Sequence, residues 1–356
     1  MTTTHQLFDQ EIDAVVRRFD AGWDALRGAR LFITGGTGYF GRWLLPMLAR
    51  ADESLGLDLR VTALSRAPER FLAEVPGLER HPAIAFHRGD VRDFEFPAGD
   101  FTHLIHAATT AAAATFHRRE DPLTKFDTSY YGTRRALEFA AERRVGRMLM
   151  LSSGSFYGPL QPEYDAYPED YPVGPAPTNL EASVGHAKRA AEFLCSAFAD
   201  RHGLSFSTAR CFTFLGPHLP LDLHYAAGNF IRDALHGNAI TVAGDGTPIR
   251  SYMYTGDLMV WLLTLLTRGQ NGRAYNVGSD EAITVGELAR RIGHLIAPHK
   301  PVRILRQVEG PVTRNVYLPE VRRARTELSL DLWTSLDESI LRTAEIAAET
   351  AAKTPN

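Results

Sequence analysis

The sequence predicts an α/β protein whose core is a doubly wound parallel sheet, followed by a smaller C-terminal lobe. Three observations predict it. Short apolar runs alternate with helical stretches between residues 29 and 210. A glycine-rich turn, GGTGYFG (35–41), joins the first run to the first of those helices. After Arg210 the regular alternation gives way to shorter, less periodic segments. Alternation of strand and helix is the signature of parallel strands joined by right-handed helical crossovers.

In chain order, Phe8, Ile12, Val15, Val16, Phe19, Trp23 and Leu26 recur at helical spacing, so residues 7–26 form an amphipathic helix that covers a sheet edge or lies along a domain surface. ARLFIT (29–34) suits a buried parallel strand, and RWLLPMLAR opens the helix after the glycine turn. RVTALS (60–65), AIAFHRGD (83–90), THLIHAA (102–108), RMLMLSS (147–153) and LSFSTAR (204–210) are the further strands. Helices are expected over 122–144 and 179–202, the second with SVGHAKRAAE (183–192) in its middle and Lys188 as its one inward-facing cation. The segment 156–179, dense in proline, tyrosine and acid, reads as a binding loop. The implied units are an N-terminal helix over 1–27, a dinucleotide-binding core over 28–210 plus 249–280, and a substrate-binding lobe over 211–248 and 281–356.

Composition narrows the function classes. Hydrophobic residues make up 44% and charged residues 23%, with a formal net charge of −3, so nothing marks a nucleic-acid-binding surface. The two cysteines, Cys195 and Cys211, cannot make a disulfide framework or a structural zinc site. The closest histidine spacings, His103 with His106 and His218 with His224, lack carboxylate support, and no metal is expected. No apolar run reaches the ~20 residues of a membrane span, and the N-terminus does not read as a signal peptide. A reduced cytoplasmic setting is the expectation.

Gly35, Gly38 and Gly41 stand at G-x-x-G-x-x-G spacing between a strand and a helix. That context lets backbone N–H groups and the positive helix end receive a pyrophosphate. The expected cradle is Gly35, Thr37, Gly38, Tyr39, Phe40 and Gly41. Asp90 and Val91 end the third strand, where an adenine contact is expected, and Ala107, Ala108 and Thr109 end the fourth, where small side chains let a cofactor cross the sheet rim. The second strand ends in Ser65-Arg66 in place of an acid, which tilts the expected NAD(P) cofactor toward NADP.

With these residues in view, the chain resembles the extended short-chain dehydrogenase/reductases, in particular the nucleotide-sugar epimerases, dehydratases, decarboxylases and 4-keto reductases. The resemblance covers residues 28–300 and rests on TGGTGYFG (34–41), GDV (89–91), HAA (106–108), GTRRALEFA (132–140), SSGSFYG (152–158), AKRAAE (187–192), RCFTFLGP (210–217), GDGTPIRSYMYTGDL (244–258) and AYNVGSDEAITVGELA (274–289). It implies a Rossmann-type fold and a catalytic set of Ser or Thr, Tyr and Lys, the last two spaced Tyr-x-x-x-Lys. Lys188 matches the lysine, which holds the nicotinamide ribose and lowers the tyrosine pKa, and Ser153 matches the serine that bonds the reacting sugar oxygen. The tyrosine position holds Val184. Ser129 and Thr213 stand where the family pattern has asparagines.

A positioned general base contributes about 10²–10⁴ in rate, or roughly 3–5 kcal/mol of barrier, and valine supplies none of it. Three readings stay open: another residue carries the proton, the step is not an ordinary redox step, or the protein binds cofactor without turnover. Candidate carriers are Tyr157 and Tyr164, with Tyr167, Tyr171, the loop acids Glu163, Asp165, Glu169 and Asp170, and Tyr130 and Tyr131 behind them. On the substrate side, the resemblance implies nucleotide-diphosphate contacts from Asn229 and Arg250, and a substrate contact from Ser155. It also implies a homodimer through the helices at 122–144 and 179–202.

Overall fold

The computed structural model describes residues 3–109, 120–223, 225–307 and 314–351. His224 and the last residues of the expected C-terminal lobe lie outside these. The elements in order are α1 (Thr3–Phe19), a 3₁₀ stretch Asp20–Leu26, β1 (Arg30–Thr34), α2 (Gly41–Leu55), β2 (Arg60–Ser65), α3 (Pro68–Glu74), β3 (Ile84–Arg88), β4 (His103–His106), α4 (Pro122–Glu142), β5 (Arg147–Ser153), α5 (Ser183–His202) and β6 (Ser205–Cys211). Then come β7 (Phe214–Leu215), α6 (Ala226–His236), β8 (Ile240–Val242), β9 (Ile249–Arg250), β10 (Met253–Tyr254), α7 (Thr255–Arg268), β11 (Arg273–Val277), β12 (Ile283–Thr284), α8 (Val285–Ile296), β13 (Val302–Ile304), β14 (Val316–Tyr317), α9 (Arg322–Leu328) and α10 (Leu336–Ala351).

Seven strands form the main sheet in the order β11-β6-β5-β4-β1-β2-β3, with every pairing parallel. The order reverses between β1 and β4, which opens a crevice at their carboxyl ends. Along β1, Leu31 and Ile33 enter one buried cluster, while Phe32 enters another on the opposite face. β5 repeats this with Leu149 and Leu151 against Met148 and Met150. Side chains alternate across a strand, so this pattern requires a sheet covered on both faces. α2, α7 and α1 lie over one face, and α4 and α5 over the other.

α1 is not an edge strip. Its Ile12, Val15, Val16 and Phe19 are buried in the same cluster as Trp43 of α2 and Trp261 of α7. Ion pairs fix its outer side, Arg18 to the buried Asp257 at 3.1 Å and Arg50 to Asp13 at 2.8 Å. A third cluster joins α6, α8, α10 and the paired β8 and β13. Among the described residues, no helix is long and apolar enough to cross a membrane.

Two helices carry the residues of interest. Asp121 caps α4 by accepting the Thr124 N–H at 3.0 Å, and Pro122 takes the first helical position, where no N–H is needed. α5 begins at Ser183, so SVGHAKRAAE forms its opening turns and not its middle. Pro175 and Pro177 stop helix from forming earlier, and Asn179 caps the preceding 3₁₀ turn by accepting the Glu181 N–H. Gly203, in the left-handed conformation, ends α5.

The face under α4 is an aromatic nest. Phe139 is fully buried, 4.4 Å from the Phe32 ring and 5.1 Å from Phe101. Phe139→Ala is expected to lower unfolding free energy by about 3–5 kcal/mol in urea titration. Leu55→Ala, at a position 44% exposed, is expected to change it by no more than about 0.5 kcal/mol.

Candidate functional site

The glycine turn lies where β1 and β4 part. Gly35 has φ +72°, and a Cβ there would come 2.7 Å from the Ala107 carbonyl carbon and the Ala108 nitrogen. A Cβ on Gly41 would come 1.8 Å from the Gly36 oxygen. Both positions therefore demand glycine, the first by conformation and proximity, the second by proximity alone. A Cβ at Gly38 would meet only the Gly35 oxygen, at 3.4 Å, so this backbone borders open space. α2 starts here with no side-chain cap on its N–H groups. The Gly38 and Phe40 carbonyls take the Arg42, Trp43 and Leu44 N–H groups, so what the turn offers a diphosphate is the positive end of α2 and the backbone ahead of Arg42.

The cradle rests on a buried network. Thr133 donates its hydroxyl to the Ser129 carbonyl at 2.7 Å, so it receives the Nε2–H of His106 at 3.0 Å. His106 Nδ1 then accepts from Thr34 at 2.7 Å, and Thr34 accepts the Ala108 N–H. Burial, with a smaller contribution from the Lys188 charge, pushes the His106 pKa down to about 3. His106 is thus a neutral clamp joining β1, β4 and α4, and not half of a metal pair.

Thr37 and Ser65 share a hydrogen bond at 2.9 Å, joining the glycine turn to the end of β2. Arg66 follows and is exposed. Burial works to raise the Asp90 pKa, but hydrogen bonds from Arg92, the nearest at 2.8 Å, hold it below the usual carboxylate range. Val91 is buried against Gly132. Of the expected cradle side chains, Tyr39 points away to Thr255 and Phe40 packs on Phe214. These two offer backbone to a cofactor. Thr109 is exposed at the end of the described segment.

On the other side of the crevice, Ser153 ends β5. It receives the Ser155 N–H at 3.1 Å and the Ser155 hydroxyl at 3.0 Å. Lys188 is 5% exposed and donates to the Leu151 carbonyl, two residues before Ser153, at 2.7 Å. Burial lowers its pKa to about 8. Val184 is half-buried one turn earlier, so Lys188 reaches the strand that Ser153 ends, and position 184 supplies no hydroxyl.

The loop tyrosines serve the loop. Tyr157 donates to Asn276 at 2.7 Å and receives Arg210 at 2.9 Å, and burial pushes its pKa up to about 12 against the lowering effect of Arg210. Tyr167 donates to the Gly158 carbonyl at 2.9 Å, and Tyr171 to that of Pro159. Tyr164 stands edge-on to Tyr171 at 5.1 Å. Besides the Ser155 hydroxyl, a phenol that the sequence did not single out lies next to this strand end: Tyr317 of β14, whose Oη would stand 2.5 Å from a Cβ on Gly154, the residue after Ser153. Its burial raises its pKa well above the ordinary tyrosine value.

Asn229 lies inside α6, three residues past its start, and accepts from Arg232 at 3.2 Å; it is not the helix cap. Arg250 donates to the carbonyls of Ile249 and Asn315, at 2.8 and 3.1 Å, and makes no ion pair among the described residues. It lies close to Tyr167, Tyr252 and Tyr317. No group of three metal-ligating side chains occurs among the described residues.

Residues 31–278 match the sequence profile of the NAD dependent epimerase/dehydratase family. The chain is 28% identical over 316 residues to UDP-glucuronic acid decarboxylase 6 of Arabidopsis thaliana, covering 87% of this chain and 86% of that protein. It is also 28% identical over 323 residues to UDP-glucuronic acid decarboxylase 1 of Danio rerio, covering 89% and 72%. The fold matches that of UDP-glucuronic acid 4-epimerase from Bacillus cereus, solved with UDP-glucuronic acid and NAD, with a TM-score of 0.75 at 18% identity over 91% of this chain and 99% of that one. The glycine turn at the sheet's switch point, Ser153 and Lys188 both on strand β5 or bonded to it, and the extent of the profile match lead to one conclusion: this chain belongs to the NAD dependent epimerase/dehydratase family.

Proposed function

We propose that this protein holds a nicotinamide dinucleotide along the carboxyl rim of its sheet and modifies the sugar of a nucleotide sugar, with UDP-glucuronic acid the first candidate. The observation that carries the reading is the buried Lys188, bonded to the strand that Ser153 ends and close enough to His106, the partner of Thr34 before the glycine turn, for its charge to be felt there. A buried lysine is costly without a partner, and the bond to the Leu151 carbonyl leaves two of its three protons for a ligand. The names of the decarboxylases similar to this chain support the nucleotide and the sugar acid.

When bound, the nicotinamide accepts and returns a hydride. The amides from Gly35 to Gly41 bind the diphosphate. Lys188 orients the ribose, and its charge favours developing negative charge nearby. Ser153 fixes the reacting sugar oxygen. Arg250 meets the nucleotide diphosphate, and Asn229 and Ser155 add neutral contacts. Val184 favours a second reading, a protein that binds both ligands without turnover. Mixing the purified protein with NAD⁺ and UDP-glucuronic acid separates the two: sugar products resolved by anion exchange support the enzyme, and tight binding with unchanged sugar supports the silent reading. Lys188→Met is expected to lower turnover at least about a hundredfold while leaving the fold intact by circular dichroism.

Arg66 supports a further preference for NADP, since an exposed guanidinium suits a 2′-phosphate. Arg66→Ala is expected to weaken NADP⁺ relative to NAD⁺ by about tenfold in calorimetric titration, equivalent to ~1.4 kcal/mol. Equal losses for both would remove Arg66 from the 2′ position.

We also propose a homodimer through α4 and α5. Leu123, Leu180 and Phe193 are each 71% exposed on or next to these helices, and Tyr131 is 51% exposed. Apolar side chains gathered on one surface are a mark of association. Phe193→Asp is expected to convert a dimer to a monomer by light scattering at micromolar concentration. A monomeric wild type would end this part of the reading.

A further inference from the structure

The residue that answers Val184 comes from the far end of the chain. Tyr317 lies on β14, whose pairing with β9 sets it opposite Arg250. Its ring packs on Phe212 with centroids 4.6 Å apart. Its phenol fills the space above Gly154, where a Cβ would come 2.5 Å from Oη and 2.8 Å from Cζ. Ser153 precedes Gly154 directly and acts to lower the Tyr317 pKa, and Tyr317 shares the neighbourhood of Cys211 with Lys188.

The order of donors follows. Ser155 offers both its N–H and its hydroxyl to Ser153 Oγ. Ser153 therefore keeps its own proton to give, and Tyr317 Oη, seated over the adjoining Gly154, is the phenol near it. Tyr157, Tyr167 and Tyr171 spend theirs on Asn276 and on two loop carbonyls.

We propose that Tyr317 is the proton donor and acceptor for the sugar oxygen held by Ser153, supplying from β14 the hydroxyl that α5 lacks at Val184. The inference rests on the nicotinamide and nucleotide-sugar reading above. In the reducing direction, a hydride with its electron pair leaves the reduced nicotinamide and forms the new C–H bond at the keto carbon. The carbonyl π pair takes the proton of Tyr317 Oη, the phenolic O–H bond breaks, and the sugar becomes an alcohol. In the oxidising direction each transfer is reversed: Oη regains the hydroxyl proton, and the hydride returns to the oxidised nicotinamide. Arg250, opposite Tyr317, offsets the phenolate charge between the two transfers.

The test uses the full chain loaded with NAD⁺. Tyr317→Phe is expected to slow NAD⁺ reduction by UDP-glucuronic acid about 10²–10⁴-fold, with the NAD⁺ dissociation constant changed less than about twofold. Adding Val184→Tyr to that variant is expected to restore part of the rate, because the hydroxyl returns to the same oxygen from α5. A second readout needs no turnover: ultraviolet titration of tyrosine ionisation in the NAD⁺-loaded protein, where wild type is expected to have one phenol titrating that Tyr317→Phe lacks, at lower pH than without NAD⁺. A rate within about threefold of wild type, or a phenol titration in which NAD⁺ moves no phenol that Tyr317→Phe removes, overturns the proposal. If wild-type protein reduces no NAD⁺ with this sugar, the functional reading fails on its own, and the titration still decides Tyr317.

Discussion

The geometry around the crevice depends on one buried ion pair. Arg210, at the end of β6, meets the Glu192 carboxylate with Nε at 3.1 Å and Nη2 at 2.8 Å, and its guanidinium lies 3.7 Å over the Phe156 ring. Burial would weaken an arginine's hold on its proton, but Glu192 more than compensates and the pKa ends above the ordinary value. Glu192 also receives Ser152 of β5 at 2.6 Å, and the remaining Arg210 bonds go to Tyr157 and the Glu169 carbonyl. One side chain thereby joins two strands, a helix and the long loop. A buried pair of this kind adds little net stability over apolar packing, but removing one partner costs about 3–5 kcal/mol. Its role here is register. Glu192 stands one turn after Lys188 on the same face of α5, and its charge partly offsets the burial that lowers the Lys188 pKa.

The same network changes the meaning of the tyrosine-rich loop. Asn276 of β11 receives Tyr157 and donates to the Tyr167 and Glu320 carbonyls, while its N–H goes to Glu169 at 3.0 Å. Glu169 has its pKa raised by burial, against these bonds and the nearby Arg323. Tyr157, Tyr167 and Tyr171 pack together, Tyr157 and Tyr167 stacked at 5.0 Å. A phenol that has given its proton to a buried amide or carbonyl is poorly placed to trade protons with a ligand, so the richest supply of hydroxyls in the sequence becomes scaffold.

Most of the sheet was legible because its signal is local. The strands at 60–65 and 147–153 run over the residues their apolar patterns mark, and Gly203 and Asp121 end and begin helices by chain-local chemistry. The start of α5 was less legible: periodicity extends through 179–202, but prolines and the Asn179 cap hold the first residues in a separate 3₁₀ turn. The N-terminal segment reads as one amphipathic stretch, yet it divides at Phe19 into α1 and a 3₁₀ helix. Of the site, the glycine turn was readable from spacing, and the serine and lysine from the resemblance to a family pattern. Tyr317 was not, since it sits in a two-residue strand with no period of its own.

The sequence by itself determined the alternation that makes a two-faced parallel sheet, the glycines that let β1 and β4 part around a crevice, and the absence of a hydroxyl at position 184. These follow from residue type and near-neighbour spacing, because backbone conformation and side-chain direction are set within a few residues. The tertiary structure alone decided which phenol covers Gly154 beside Ser153, which carboxylate holds Arg210, and that His106 is a neutral clamp. Those outcomes depend on burial and on contacts between segments distant in the chain, where desolvation and hydrogen-bond satisfaction, and not local propensity, choose the partner.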